Sequence, residues 1–170
     1  MGAAAARLIV VMGVSGSGKT RVGELLAARL GCGFLEGDGL HPAANIAKMA
    51  AGHALDDADR APWLAAIHAR LAGAAGAGAG LVVSCSALKQ RYRDALAAGG
   101  LALTWVYLAV SPVLLRARLL ARRGHFFKAD LLESQLADLE APAGANVITV
   151  DIAPPPEAIV QQILDQLRAR

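Results

Sequence analysis

The chain has 170 residues, enough for one domain with a sizeable core. Hydrophobic residues make up 55 %, much of it alanine, yet no apolar stretch approaches the roughly 18 residues of a membrane span. The net charge of +3 is a modest surplus that a cleft of Lys and Arg explains without nucleic acid, and neither zinc spacing nor aromatic–basic interleaving is present.

The opening, MGAAAARLIVV, shows no cleavage site, so it is not expected to be a signal peptide. GAAAAR also lacks the Ser or Thr of a myristoylation site. A cytoplasmic protein is expected, with Cys32 and Cys85 as reduced, buried thiols and no disulfide framework. RLIVVM reads as a buried parallel strand. MGVSGSGKT follows it, matching G-x-x-x-x-G-K-[ST] at Gly13, Gly18, Lys19 and Thr20. In that pattern backbone N–H groups from Gly13, Val14, Ser15, Gly16, Ser17 and Gly18 wrap nucleotide phosphates at a helix N-terminus. Lys19 reaches the β- and γ-phosphates, and the Thr20 hydroxyl holds Mg²⁺. RVGELLAARLG then places Val22, Leu25, Leu26 and Leu30 on one helical face, with Gly31 as the stop. The two flanking elements make a chance glycine turn a poor alternative to a phosphate-binding loop.

A short strand is predicted at Gly33–Glu36 and a helix within HPAANIAKMAAG. LDDADRAPWLAAIHARLAG reads as a helix entered through Asp56, Asp57 and Asp59. GAAGAGAG, residues 73 to 80, reads as a flexible surface connection. LVVSC is a third strand, and SALKQRYRDALAAGG a helix capped by Ser86. LALTWVYLAV is a fourth strand, followed by a helix with Ser111 as N-cap and Pro112 at its first position. HFFKADLLESQLADLEAP begins irregular and becomes helical. NVITVD is a fifth strand, and an amphipathic helix begins at Pro156. The alternation predicts an α/β fold, a five-stranded parallel sheet with helices on both faces. Ligands of such sheets bind outside the carboxyl ends of the strands, which is where the polar segments cluster.

Asp38, at the end of the second strand, suits a carboxylate that orients a substrate hydroxyl toward the γ-phosphate. Glu36, two residues earlier, either acts through water on Mg²⁺ or caps the next helix, and the two readings stand level. Arg60, Lys89 and Arg93 are cations near one sheet edge, suited to an anionic acceptor, the last two at i, i+4. A surface ion-pair face is the plainer alternative for Arg60. Arg118 and Arg122, also at i, i+4, precede Arg123, Gly124 and His125 and suit a lid that covers the nucleotide, against the plainer role of a basic helix end.

GVSGSGKT, GDGLHPAANIAKMAAGHALDDADRAPWL, VVSCSALKQRYRD and RRGHFFKADLLESQLADLE together resemble the gluconokinase family. The resemblance covers roughly residues 8 to 165. It implies a single phosphate-loop kinase domain, similar in fold to shikimate and nucleoside monophosphate kinases, with a lid near 122–130. The implied reaction moves the γ-phosphate of ATP, with Mg²⁺, to the C6 hydroxyl of D-gluconate. Implied roles are catalysis for Lys19, Asp38 and Arg122, and ATP binding for Gly13 to Thr20 with Arg118. Asp38, His41, Arg60, Lys89, Arg93, His125 and Gln135 are implied to bind the acceptor, and Thr20 and Glu36 the metal. A homodimer is implied, with no nucleic acid and no membrane partner. A shikimate-kinase-like enzyme, or an ATP-binding regulatory protein without turnover, are the competing expectations.

Overall fold

The computed structural model describes residues 6–121 and 129–170. Its elements run β1 (Leu8–Met12), α1 (Lys19–Leu30), β2 (Gly33–Glu36), a 3₁₀ turn (Gly37–Leu40), α2 (Ala43–Ala50), α3 (Asp57–Gly76), β3 (Leu81–Ser84) and α4 (Gln90–Leu96). A short 3₁₀ segment, β4 (Leu103–Ala109), α5 (Pro112–Ala121), α6 (Ala129–Asp138), β5 (Val147–Asp151) and α7 (Pro156–Arg168) complete the chain. The five strands form one parallel sheet in the order β2-β3-β1-β4-β5, as the alternating pattern predicts.

The central strand β1 is buried at every position, which explains why LIVVM is apolar without a break. Strand side chains point alternately to opposite faces. Ile9 and Val11 therefore meet Val22 and Leu26 of α1 and Ile159, Ile163 and Leu167 of α7. Leu8, Val10 and Met12 meet Trp63, Ile67 and Leu71 of α3 and Leu96 of α4 on the other face. Trp105 of β4 is 5 % exposed and belongs to this second layer.

Local chemistry sets the helix ends. Asp56 and Asp59 form a reciprocal capping box at the start of α3, which satisfies N–H groups that the helix leaves free. Ser111 Oγ accepts from Leu114 N–H at 3.2 Å, with Pro112 at the first position of α5.

Two expectations are corrected. The helix α3 continues through Gly73 to Gly76 and takes half of the Gly/Ala stretch, because alanines favour helix and Ala74 packs on the core. Ser86 does not cap α4. The chain stays non-helical as far as Lys89, and the first N–H of α4, on Gln90, is capped by the Glu140 carboxylate at 2.7 Å. Both cysteines are free, with Cys85 buried and Cys32 only partly so. Burial pushes the Cys85 thiol up to about 12.

Candidate active site

The loop after β1 is shaped by close approach. A Cβ at Gly13, whose φ is +148°, would lie 2.9 Å from Ser17 Oγ and 3.1 Å from the Leu108 carbonyl oxygen. Gly13 N–H donates to the Ser86 carbonyl at 3.3 Å and Ser17 N–H to the Val14 carbonyl at 3.2 Å. Lys19 Nζ donates to the Val14 carbonyl at 3.0 Å, which curls the side chain over its own loop. Burial lowers the Lys19 pKa from its ordinary value, and the nearby Asp38 and Glu36 charges oppose that fall. Ser17 Oγ is buried without a hydrogen-bond partner. An orphaned buried hydroxyl in this glycine-rich loop fits a phosphate-oxygen cradle.

Thr20 Oγ1 donates to one oxygen of Glu36, and Ser84 Oγ donates to the other. Glu36 therefore joins the start of α1 to the end of β3 and does not cap α2, whose N-cap residue Pro42 makes no side-chain cap bond. A hydroxyl beside a carboxylate at the loop's exit is an oxygen donor set suited to Mg²⁺.

Asp38 lies on the 3₁₀ turn that follows β2. It lines a cavity of about 320 Å³ together with Ser15, Lys19, His41, Arg60 and Gln135. That volume lies in the range of small-molecule sites. The indole of Trp63, 2 % exposed, donates to the Gly37 carbonyl at 2.8 Å and so holds the turn that carries Asp38. His41 stacks on this indole with ring centroids 4.1 Å apart. Its pKa is lowered chiefly by burial, with Arg60 adding to the fall and Asp38 opposing it. Asn45 Nδ2 lies 3.2 Å from His41 Nδ1, which accepts from it in the neutral ring and leaves the ring proton on Nε2.

Arg60 is 8 % exposed. It donates to Tyr92 Oη at 2.9 Å and lies 3.5 Å from the Asp138 carboxylate. Lys89 Nζ is 3.4 Å from the other oxygen of Asp138. Both cations also lie over the Tyr92 ring. These two expected acceptor cations are thus brought together, although Lys89 does not line the cavity.

Arg93 departs from the expectation. It is buried, and it donates to the carbonyls of Ala87, Leu88 and Glu140. It clamps the segment between β3 and α4 and does not face the acceptor cavity. The i, i+4 argument fails because Lys89 is the non-helical N-cap residue of α4, so the two side chains do not share a helical face. Arg118 donates to the Ile152 carbonyl at 2.8 Å, which ties α5 to the end of β5. Arg122, His125 and nearly all of the expected lid at 122–130 lie outside the described residues. Gln135 of α6 accepts from the Ser15 N–H at 2.7 Å, directly on the phosphate loop. Sequence reasoning missed Asp138, Tyr92, Ser84 and the Trp63–His41 stack. The spacing of Gln135 and Asp138, three residues apart on one helix, was the available signal for the first.

Comparison with known proteins follows this geometry. Residues 8–145 match the AAA domain family. The chain is 48 % identical to a gluconokinase of Gluconobacter oxydans over 96 % of its own length and 92 % of that protein. It is 40 % identical to the thermoresistant gluconokinase of Escherichia coli, over 95 % of this chain and 93 % of that one. A crystal structure of a gluconokinase from Sinorhizobium meliloti superposes with a TM-score of 0.87 at 48 % identity, covering 97 % of this chain and 93 % of the other. Likeness to the shikimate kinase of Aquifex aeolicus, at 19 % identity and a TM-score of 0.61, shows the shared fold alone. With a phosphate-loop nucleotide site, a parallel kinase sheet and relatives of this identity over nearly its whole length, the chain belongs to the gluconokinase family.

Proposed function

We propose that the protein transfers the γ-phosphate of ATP to the C6 hydroxyl of D-gluconate, giving 6-phosphogluconate and ADP. The observation that carries this reading is Asp38 placed with Lys19 and Arg60 on the wall of one cavity. A general base, a phosphate-binding lysine and a carboxylate-binding arginine then serve the two ends of one polyol acid.

The loop amides from Gly13 to Thr20, with Ser17 Oγ, hold the phosphate oxygens. Lys19 follows the γ-phosphate as its charge develops. Thr20 and Glu36 would hold Mg²⁺, which supplies neutralisation of the phosphate oxygens when bound. Asp38 accepts the proton of the attacking hydroxyl and aligns its oxygen. Arg60 binds the acceptor carboxylate, with Lys89 behind it, and His41 Nε2–H donates to an acceptor hydroxyl. Arg118 is assigned to ATP, Arg122 to the transferring phosphoryl group and His125 to the acceptor. Among the described residues no helix is long and apolar enough to cross a membrane. A cytoplasmic homodimer completes the proposal, on the family likeness.

ADP release, measured by a coupled assay, should require Mg²⁺ and rise strongly with D-gluconate. Greater turnover with shikimate or AMP, or no stimulation by any of the three, would overturn the assignment. Tryptophan emission gives a second test. In a Trp105→Phe variant, Trp63 is the remaining tryptophan, stacked on His41 beside the cavity. Gluconate added with a non-hydrolysable ATP analogue should change its emission. A ligand response carried wholly by Trp105 would show that the acceptor lies elsewhere.

A further inference from the structure

Helix α6 places two acceptors, one turn apart, on two groups that the proposed reaction needs for its substrates. Gln135 Oε1 accepts from the Ser15 N–H of the phosphate loop at 2.7 Å. Asp138 lies three residues on, so both side chains project from one helical face. Its carboxylate spans Arg60 at 3.5 Å and Lys89 at 3.4 Å.

The two contacts differ in kind. Gln135 makes a short, well-formed hydrogen bond. Asp138 makes ion pairs at distances longer than ordinary charge-assisted hydrogen bonds, which fall near 2.7–2.9 Å. It is half-buried, with its side chain 23 % exposed. A carboxylate that reached the same cations with bidentate hydrogen bonds would hold them better than Asp138 does. The charge arithmetic points the same way. Arg60 is nearly buried, and it also donates to the Tyr92 hydroxyl. Asp138 supplies negative charge beside this nearly buried guanidinium. An incoming carboxylate supplies that charge instead.

We propose that the Asp138 carboxylate, held between Arg60 and Lys89, competes with the acceptor carboxylate for Arg60, and that α6 couples its release to nucleotide binding through Gln135. The proposal rests on gluconate being the acceptor. An anion in the phosphate loop takes the Ser15 N–H from Gln135, which frees α6 to shift. Asp138 shifts with it, and Arg60 is left for the acceptor carboxylate. Asp138 then sets a threshold: the acceptor must carry a carboxylate to displace it, and a neutral polyol of the same length cannot.

The test is calorimetric binding of D-gluconate and of the neutral polyol D-glucitol to the wild type and to Asp138→Asn, with and without a non-hydrolysable ATP analogue. Asp138→Asn keeps the shape and removes the competing charge. Without nucleotide it should tighten gluconate about fivefold, the lower end of ordinary coupling between sites, and the Km for gluconate should fall in parallel. Glucitol affinity should not gain. In the wild type the ATP analogue should tighten gluconate by a similar factor, and in Gln135→Ala that enhancement should vanish. Asp138→Ser serves the same purpose should the asparagine variant fold poorly. Weaker gluconate binding in both Asp138 variants would show that Asp138 merely orients the cations, and would overturn the proposal. Equal gains for gluconate and glucitol would overturn it as a structural effect. A wild type that phosphorylates gluconate while the Asp138 variants bind it unchanged would sink the exchange and leave the acceptor assignment standing. A wild type with no gluconate turnover would sink the assignment, and the exchange with it.

Discussion

Replacing Asp38 by Asn should lower kcat by roughly 10²-fold or more, the scale on which a positioned general base acts. The amide keeps the size of the carboxylate and loses the proton acceptor. ATP binding should change little, because the phosphates are held by the loop amides and Lys19. A second consequence follows from the field that Asp38 exerts. Its charge raises the Lys19 pKa, against the lowering that burial imposes. Without that charge the lysine loses its proton at lower pH, so the alkaline fall of residual activity should move to lower pH in Asp38→Asn. Lys19→Ala should instead damage nucleotide handling directly. A near-wild-type kcat in Asp38→Asn would remove Asp38 from the chemistry, and unchanged ATP kinetics in Lys19→Ala would count against the loop.

Gly37→Ala should be the most damaging single methyl group in the described chain. A Cβ at Gly37 would lie 2.1 Å from the Ser84 carbonyl oxygen, which belongs to the backbone of β3 and cannot swing away. Strand β2 would have to separate from β3, or the 3₁₀ turn would have to rotate. Overpacking of a well-packed site costs about 1–3 kcal/mol and sometimes more. With about 2–4 °C per kcal/mol for a chain of this size, the Tm should fall by roughly 2–12 °C. Activity should fall further than stability alone explains. Gly37 precedes Asp38, and its carbonyl receives the Trp63 indole N–H. Gly39→Ala is the matched control, because a Cβ there meets nothing within 4 Å. A Gly37→Ala variant that melts with the wild type would show that β2 yields more easily than its packing implies.

The phosphate loop, the five strands and most helix starts were legible because each is written in adjacent residues. The run LIVVM, the glycines around Ser15 and the aspartates ahead of Arg60 act over a few positions. Asp38 and Arg60 were legible as site candidates for a related reason: they follow a strand or open a helix at the sheet's carboxyl edge. What stayed hidden depends on contacts far apart in sequence. Gln135 meets Ser15 across a separation of 120 residues, and Arg93 reaches Glu140 across 47. Arg93 was misread because an arginine four residues after a lysine looks like one charged face. The backbone at Lys89 is extended, with ψ at 150°, so the face does not exist. Glu36 was ambiguous for want of its two partners, Thr20 on α1 and Ser84 on β3. Trp63 serves two places at once, since one indole packs in the core and borders the cavity.

The place of β1 in the sheet bears on how the protein is made. The strand is completed by residue 12, yet its two neighbours begin at Leu81 and Leu103. The phosphate loop that follows it is anchored by the Gly13 N–H, which donates to the Ser86 carbonyl. During synthesis the phosphate loop is therefore made well before the strands and the carbonyl that shape it. Until β3 has left the exit tunnel, LIVVM is an apolar strand with two open edges, and until β4 follows it keeps one, a hazard for association with other nascent chains. Nucleotide cannot rescue that interval, because the cradle that would bind it has not formed.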